Sequence, residues 1–196
     1  MTSPFKLLSD ATAEDVGKVV CAAGHLHEAK TAVPAGHTAV GILGKVSSNG
    51  HGLILALKDA ANQNWNTING WTSVSFAGTT LKLLPDNAAR GNLTSYTALD
   101  ATAVSNWAVA QNGDYEAIFE NLGSTATTHV AGKTYDVNVN AYITTGVGGT
   151  ALSGSYWSST LYLNYYACSF DDSQWENGYS GSEKGNSKKV RPVLGF

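Results

Sequence analysis

The sequence predicts an α+β fold of small antiparallel sheets with a few short helices and long loops. Segments with strand character lie near both ends of the 196-residue chain, and the helical patterns between them are short. Glycine is abundant, with 21 residues, and charged residues make up only 14% of the chain, which is typical of a loop-rich protein. We expect a polar lead-in at 1–16 and one domain at 17–196, long enough to bury its own core.

Three strands are predicted in the first part of this domain. Residues 18–22 and 37–46 combine valine and isoleucine with small residues, and 53–57 is a continuous apolar run suited to burial on both faces of a sheet. The residues at 58–84 are rich in Asn, Thr and Gly, so we expect long loops there, with one short apolar stretch at 81–84.

Three short helices are predicted next. The first begins at a Pro-Asp pair and covers about 85–96. The second has the clearest pattern, because Asn112 or Gly113 can cap it and apolar residues recur at i, i+3, i+4 and i+7 before a glycine ends it. These apolar residues are Tyr115, Ile118, Phe119 and Leu122, and the glycine is Gly123. The third helix covers 135–144 and precedes another glycine-rich stretch.

The segment 156–196 has an unusual composition. Strand-like ends at 156–160 and 190–196 enclose a stretch that carries tyrosine and tryptophan among Asn, Ser, Asp and Gly. Disordered linkers are poor in aromatics and core strands are poor in small polar groups, so we expect this stretch to be folded and exposed. Rigid aromatics mixed with small polar residues are typical of antibody-like binding surfaces. The alternative is a surface hairpin whose tyrosines cover a small core.

The candidate ligand contacts are aromatic anchors, polar side chains that adapt their hydrogen bonds, and exposed apolar residues. The anchors are Tyr162, Tyr165, Tyr166, Trp175 and Tyr179. The polar candidates are Asn164, Ser169, Asp171, Asp172, Ser173, Glu176, Asn177 and Ser180. The apolar candidates are Leu161, Leu163 and Cys168. Because side chains alternate between the faces of a strand, we expect Ala167 and Phe170 to lie in the core.

This C-terminal pattern resembles a known family. Tyr-Trp-Ser-Ser-Thr at 156–160 and Val-Arg-Pro-Val-Leu-Gly-Phe at 190–196 are similar to the fixed frame around the variable region of proteins diversified by diversity-generating retroelements. Weaker similarity at 50–57 and 114–119 extends the resemblance over most of the chain. In that family an error-prone reverse transcriptase rewrites template adenines, so that Asn codons inside the frame become codons for Tyr, Ser, Asp, Gly, Cys and others.

The resemblance implies a C-type-lectin-like fold in which the diversified side chains form the ligand-binding face. The first and last strands of such folds pair, which here would bring Val19 beside Val190. Trp157, Arg191 and Pro192 would hold the scaffold, with Pro192 at an edge or bulge because it cannot donate to a ladder.

Some residues inside the frame do not fit diversification of an Asn codon. Adenine changes alone cannot produce several side chains of this stretch, so these residues are fixed or derive from other template codons. They are Gln174, Trp175, Glu176, Lys184, Lys188 and Lys189.

Charge and hydropathy exclude two classes of partner. The formal charge of −3 argues against a nucleic-acid binder, which normally has a basic face. We interpret the basic residues at 184–191 as solvated charges beside an edge strand, where they oppose aggregation. No apolar run approaches the roughly 20 residues of a membrane span, and the first residues do not lead into a signal-peptide hydrophobic region.

With the resemblance, these observations favour a phage tail or a bacterial cell surface as the location. The expected partner is a protein or glycan on a cell surface. The protein is then expected to act as a homo-oligomer or in multivalent display.

No metal or cofactor is expected. His25 and His27 lie near Cys21 and His37, but zinc normally takes spaced ligand pairs, and we interpret this segment as a solvated loop. Sugar-binding lectins that use calcium carry a Glu-Pro-Asn or Gln-Pro-Asp triplet together with Trp-Asn-Asp, and none of these occurs here.

No catalytic motif is recognisable in the sequence. It lacks a Gly-x-Ser-x-Gly elbow, and 41–46 has the wrong spacing for a phosphate loop. Formylglycine-generating enzymes are also lectin-like but use two nearby cysteines, whereas Cys168 has no partner close in sequence. Cys21 and Cys168 can pair or stay free. We therefore expect a ligand-binding protein that is not an enzyme, and the alternative is an invariant lectin-like structural module of a virion or cell surface.

Overall fold

The protein is described by a computed structural model that covers residues 4–48, 50–65, 75–83, 107–126, 133–163, 166–172, 175–176 and 182–196. In these residues the chain forms two α-helices, a seven-stranded sheet, a six-stranded sheet and a two-stranded sheet. The predicted α+β class is confirmed.

The regular elements are short. The strands are β1 (Val19–Cys21), β2 (Leu26–His27), β3 (Ala39–Val46), β4 (Gly52–Ala56), β5 (Ala60–Asn64), β6 (Ser75–Phe76), β7 (Thr79–Thr80), β8 (Lys82–Leu83), β9 (Trp107–Val109), β10 (Tyr156–Leu163), β11 (Tyr166–Phe170), β12 (Trp175–Glu176), β13 (Ser182–Glu183), β14 (Ser187–Val190) and β15 (Val193–Gly195). The α-helices are α1 (Asn112–Asn121) and α2 (Val137–Thr144), and 3₁₀ turns cover Leu8–Asp10 and Ala13–Asp15.

The seven-stranded sheet forms the centre of the molecule, with strand order β2-β1-β3-β4-β15-β9-β8. Its middle strands are buried on both faces. Leu53 and Leu55 of β4 join one hydrophobic cluster, while Ile54 between them joins a second cluster on the opposite face. The first cluster includes both helices, and the second includes Trp65 and Trp157. This two-sided burial confirms what the continuous apolar run at 53–57 predicted.

The three predicted early strands are confirmed as β1, β3 and β4, each within one or two residues of its expected ends. The expected pairing of the first and last strands is wrong. β1 pairs with β2 and β3, and β15 pairs with β4 and β9. The hairpin of β3 and β4 lies between them, because strands joined by a short connection pair readily and this hairpin is apolar enough to occupy the buried centre. Val190 belongs to β14 in the other sheet.

The sequence suggested long loops at 58–84, but several strands form there. β5 pairs with β14 at the edge of the six-stranded sheet, and β6, β7 and β8 form from the same stretch. The sequence Ala-Ala-Asn-Gln-Asn of β5 has no apolar alternation, because Ala61 and Asn62 are exposed on this edge. The short apolar stretch at 81–84 is confirmed as β8, whereas the helix predicted at 85–96 lies outside the described residues.

Helix α1 forms as its periodicity predicts, and its four apolar residues are each at most 1% exposed. Gly123 follows it with a φ of +80°, a conformation that glycine adopts without strain. The cap is Gln111, one residue before the predicted positions, and its side chain makes no capping hydrogen bond. Helix α2 begins at Val137 because the Asp136 side chain accepts hydrogen bonds from the amides of Asn138 and Val139.

The polar lead-in at 1–16 packs onto the domain over the part that is described. Leu8 is 1% exposed and belongs to the second hydrophobic cluster. Burial alone would raise the pKa of the Asp15 carboxyl, but ion pairs to Lys6 at 2.6 Å and Lys18 at 3.0 Å, with hydrogen bonds from Thr12, hold this pKa well below its usual range. The lead-in is therefore fixed to β1 by charge as well as by apolar packing.

Candidate ligand-binding surface

The six-stranded sheet holds most of the C-terminal segment. Its order is β12-β11-β10-β14-β5, and β13 also pairs with β11. β10 contains the first part of the frame at 156–160, while β14 leads into the second part at 190–196 and pairs with β10 in parallel. The described residues of the stretch between them form β11, β12 and β13. The whole stretch therefore begins and ends on two adjacent strands.

The first part of the frame is buried. Tyr156 and Trp157 are both 0% exposed. The indole Nε1 of Trp157 donates to the Gln63 carbonyl at 2.8 Å, and the indole Nε1 of Trp65 donates to the Ser158 carbonyl at 2.9 Å. Buried aromatic rings with satisfied N–H groups make this strand a fixed part of the core.

The second part of the frame is buried around a charged residue. The Arg191 side chain is 0% exposed and its Nε lies 2.7 Å from Oδ1 of Asp59. Its two terminal nitrogens donate to the carbonyls of Ala56 at 3.1 Å and Thr150 at 2.8 Å. The Asp59 carboxylate balances the charge of this buried guanidinium, and the two carbonyls accept from its terminal nitrogens.

Asp59 joins the two parts of the frame. Its Oδ2 accepts a hydrogen bond from the Tyr156 hydroxyl at 3.2 Å, while its Oδ1 pairs with Arg191. The Arg191 guanidinium carbon also lies 6.0 Å from the centre of the Tyr156 ring. One carboxylate therefore binds both parts of the frame, at the two ends of the stretch between them.

Helix α1 supports this junction from the core side. The Tyr115 hydroxyl donates to the Arg191 carbonyl at 2.6 Å, and burial raises the pKa of this hydroxyl, so it remains protonated. The Tyr115 and Phe170 rings lie 4.7 Å apart, and the Phe170 and Tyr156 rings 5.5 Å apart. These contacts make the frame continuous with the main hydrophobic cluster.

The sequence suggested that the basic residues near the end of the chain lie beside an edge strand, and this expectation is wrong. β14 lies inside its sheet between β10 and β5. Lys188 and Lys189 lie over the rings of Trp157 and Tyr156, at 5.4 and 5.7 Å from the ring centres. Lys189 also donates to the carbonyl and hydroxyl of Ser153. These lysines cover frame aromatics on the solvent side.

Three candidate contact residues have described side chains that reach solvent. Tyr166 and Asp171 are partly exposed and Asp172 is exposed. The backbone carbonyl of Asp171 accepts a hydrogen bond from the Thr134 hydroxyl, which fixes the end of β11 while its side chain remains accessible. Tyr166 begins β11 and Asp172 follows it, so these residues lie at opposite ends of one strand.

Two candidate contacts are corrected by their burial. Cys168 is 3% exposed and Ser169 is 0% exposed, so neither offers a surface to a ligand. β11 has β10 on one side and β12 and β13 on the other, and its four residues after Tyr166 are all buried. Ala167 packs in the second hydrophobic cluster and Phe170 in the first, so both faces of β11 are covered and the alternation of a half-exposed strand does not apply. The expectation that Ala167 and Phe170 belong to the core is confirmed.

For the other candidate contacts the structure describes only the backbone, or the residue lies outside the described ranges. Five of them lie in strands whose side chains are not described: Leu161, Tyr162, Leu163, Trp175 and Glu176. Six lie outside the described residues: Asn164, Tyr165, Ser173, Asn177, Tyr179 and Ser180.

Sequence reasoning missed the residues that hold the frame from outside the C-terminal segment. Asp59 lies in a stretch expected to be loop, and Tyr115 was expected only as a core residue of α1. The one available signal was chemical: a buried arginine requires a carboxylate or several carbonyls, but the sequence does not show which acidic residue supplies the carboxylate.

No protein-family model and no curated protein sequence matches this chain. In the part of the chain that the structure describes, neither helix has the length and apolar character needed to cross a membrane.

Proposed function

We propose that this protein is a non-enzymatic ligand-binding protein whose contact surface is formed by side chains of the stretch 161–187. The observation that carries this proposal is the contrast between the frame and the stretch inside it. Tyr156, Trp157 and Arg191 are all fully buried, and Asp59 joins Tyr156 to Arg191, whereas Asp172 between them is exposed. A surface built in this way can change its side chains without loss of the core.

Diversification by a retroelement is the finer form of this proposal. It rests on the resemblance of the frame at 156–160 and 190–196 to the family named above, together with the Tyr, Ser, Asp and Gly residues between them, which adenine changes in Asn codons would produce. The proposed fold is C-type-lectin-like. A sheet-rich architecture with two helices on one side of the seven-stranded sheet is consistent with this proposal. Cys168 and Ser169 are excluded from the proposed contact set, because a diversified position must face the ligand.

The proposed partner is a protein or glycan on a cell surface, and the proposed location is a phage tail or a bacterial surface. A single contact surface of adaptable side chains binds weakly, and display in many copies raises avidity by roughly 10²- to 10⁴-fold. Multivalent display is therefore part of the proposal. The alternative is an invariant module, in which the stretch 161–187 serves only to cover the core.

A tyrosine comparison tests whether the surface is separate from the core. We expect Tyr165→Ala combined with Tyr179→Ala to abolish binding to cells that display the ligand. The free energy of unfolding should fall by no more than about 0.5 kcal/mol per residue, because surface positions rarely contribute more. Thermal and denaturant unfolding measure the stability, and retention on whole cells measures the binding.

Tyr156→Ala is the matched control, because it removes the same side chain from a position that is 0% exposed. We expect it to lower the free energy of unfolding by roughly 3–5 kcal/mol, as for other large aromatics in cores. If the Tyr165 and Tyr179 double variant loses as much stability as Tyr156→Ala, those tyrosines belong to the core and the proposed contact surface is wrong.

A further inference from the structure

A cluster of metal-ligating groups lies at one edge of the seven-stranded sheet, separate from the proposed ligand contacts. Cys21 ends β1, His27 lies in β2, and His37 comes two residues before β3. The Sγ atom of Cys21 and one ring nitrogen from each histidine lie within 4.8 Å of one another. The Sγ atom and Nδ1 of His37 are 3.3 Å apart. β1 pairs with both β2 and β3, which brings these three residues together.

The earlier interpretation of this segment as a solvated loop is wrong. Leu26 and His27 are 4% and 5% exposed, because β2 packs on β1 and Leu26 joins the second hydrophobic cluster. Cys21 is 0% exposed. The cluster therefore consists of a buried thiol, a buried imidazole and the partly buried imidazole of His37.

His27 is an unusual core residue. Both of its ring nitrogens are buried, and within the described residues neither has a hydrogen-bond partner; the same holds for Nδ1 of the neighbouring His25. A buried polar atom without a partner costs about 1–3 kcal/mol, so native structures rarely keep one without a function. A metal ion would take the lone pair of one His27 nitrogen.

An aromatic side chain from the N-terminal segment packs against the cluster. The Phe5 ring covers the cluster, with its centre 4.6 Å from that of His27 and 5.1 Å from that of His37. An apolar cover of this kind limits water and strengthens metal–ligand bonds.

Each histidine of the cluster lines a cleft. His27 lines a cleft of about 390 Å³ together with Phe5 and Leu26. His37 lines a second cleft of about 490 Å³ that extends to Trp107 and Val147. A metal bound between these histidines would therefore have a route in and room for a further ligand.

We propose that Cys21, His27 and His37 form a binding site for a thiophilic divalent metal ion, with Zn²⁺ as the expected ion. Zn–S and Zn–N bonds of about 2.3 and 2.0–2.1 Å place tetrahedral donor atoms roughly 3.3–3.6 Å apart. The pair of Cys21 and His37 already has this spacing, and the full set closes to it by about 1 Å through side-chain rotation. One thiolate and two imidazoles leave a fourth position, which a water molecule or His25 can fill.

Cobalt titration of the full chain under reducing conditions tests this site. We expect one equivalent of Co²⁺ to produce a thiolate-to-cobalt charge-transfer band and the intense visible bands of a tetrahedral site, and one equivalent of Zn²⁺ to abolish both. Cys21→Ser should remove the charge-transfer band, and His37→Ala should weaken binding by more than about 100-fold, because even the partners of metal ligands contribute 10- to 100-fold.

Two matched controls use the chain's other thiol and another histidine. Cys168→Ser changes a buried cysteine in the six-stranded sheet, and His51→Ala changes a histidine that bonds the Phe196 carbonyl. Both should keep the cobalt spectrum of the unmodified protein. Circular dichroism shows whether each variant is folded, and His37→Ala is the variant least disturbing to the core because His37 is only partly buried.

Three results would overturn the metal site. The first is an unmodified protein with no charge-transfer band at stoichiometric Co²⁺. The second is a folded His37→Ala variant with undiminished affinity. The third is a melting temperature that Zn²⁺ raises equally in the unmodified protein and in His37→Ala, because an ion that binds only the native state stabilises it through its own site.

Discussion

Arg191→Met lowers the free energy of unfolding by about 3–5 kcal/mol, the loss expected when one partner of a buried ion pair is removed. The substitution leaves the Asp59 carboxylate without its cation and the carbonyls of Ala56 and Thr150 without donors. Since small domains are stable by only about 5–15 kcal/mol, this is a large part of the total. Urea unfolding followed by fluorescence of the buried tryptophans measures it.

Two variants separate the ion pair from the general effect of losing a cation. Lys189→Met removes a neighbouring charge that is partly exposed, that donates hydrogen bonds to Ser153 and that lies over the Tyr156 ring, and it should cost less than about 1 kcal/mol. Arg191→Met with Asp59→Asn should recover part of the loss, because no unpaired charge is then buried. An Arg191→Met variant within about 1 kcal/mol of the unmodified protein would contradict the structural role of the frame.

Trp157→Ala is expected to have a similar effect, with a loss of about 3–5 kcal/mol. The ring is 0% exposed and belongs to the second hydrophobic cluster, and its removal also leaves the Gln63 carbonyl without the indole donor. The variant should unfold at lower urea with an unchanged slope if the native fold is otherwise kept.

Trp175→Ala provides the matched comparison, because we propose that Trp175 contacts a ligand. Its backbone belongs to β12 at the edge of the six-stranded sheet, paired with β11. We expect a loss below about 1 kcal/mol for this substitution. Similar losses for both tryptophans would mean that Trp175 belongs to the core, and Trp175 would then leave the proposed contact set.

The sequence predicted the parts of the fold in which one periodicity dominates. The i, i+3, i+4, i+7 spacing of α1 and the continuous apolar run of β4 both correspond to buried elements. β5 could not be predicted in this way, because an edge strand of Ala, Asn and Gln has neither alternation nor β-branched residues. Strand neighbours were also missed, since the β3–β4 hairpin separates β1 from β15.

The candidate sites show the same limit. Composition indicated that the stretch 161–187 differs from its frame, but it could not show that Cys168 and Ser169 are buried in a strand with neighbours on both sides. Nor could spacing alone predict the approach of His37 to Cys21, because the two residues meet through strand pairing across a long connection. Contacts between distant segments depend on topology, which local patterns do not encode.

The proposed diversification requires a frame that stays folded while the stretch inside it changes. Both ends of the stretch 161–187 are fixed by groups outside it, through Asp59 to Tyr156 and Arg191 and through Tyr115 to the Arg191 carbonyl. Substitutions at exposed positions inside the frame leave these contacts unchanged. We therefore expect strong constraint on the frame and tolerance of substitutions between its two parts.

Deep amplicon sequencing of the 3′ end of the gene, from a population that carries the locus, tests this central claim most directly. We expect substitutions confined to codons between Thr160 and Val190 that derive from template adenines, with the codons of 156–160 and 190–196 unchanged. Buried positions such as Ser169 should vary less than exposed positions such as Asp172. A uniform sequence throughout this stretch would contradict diversification and favour the invariant lectin-like module.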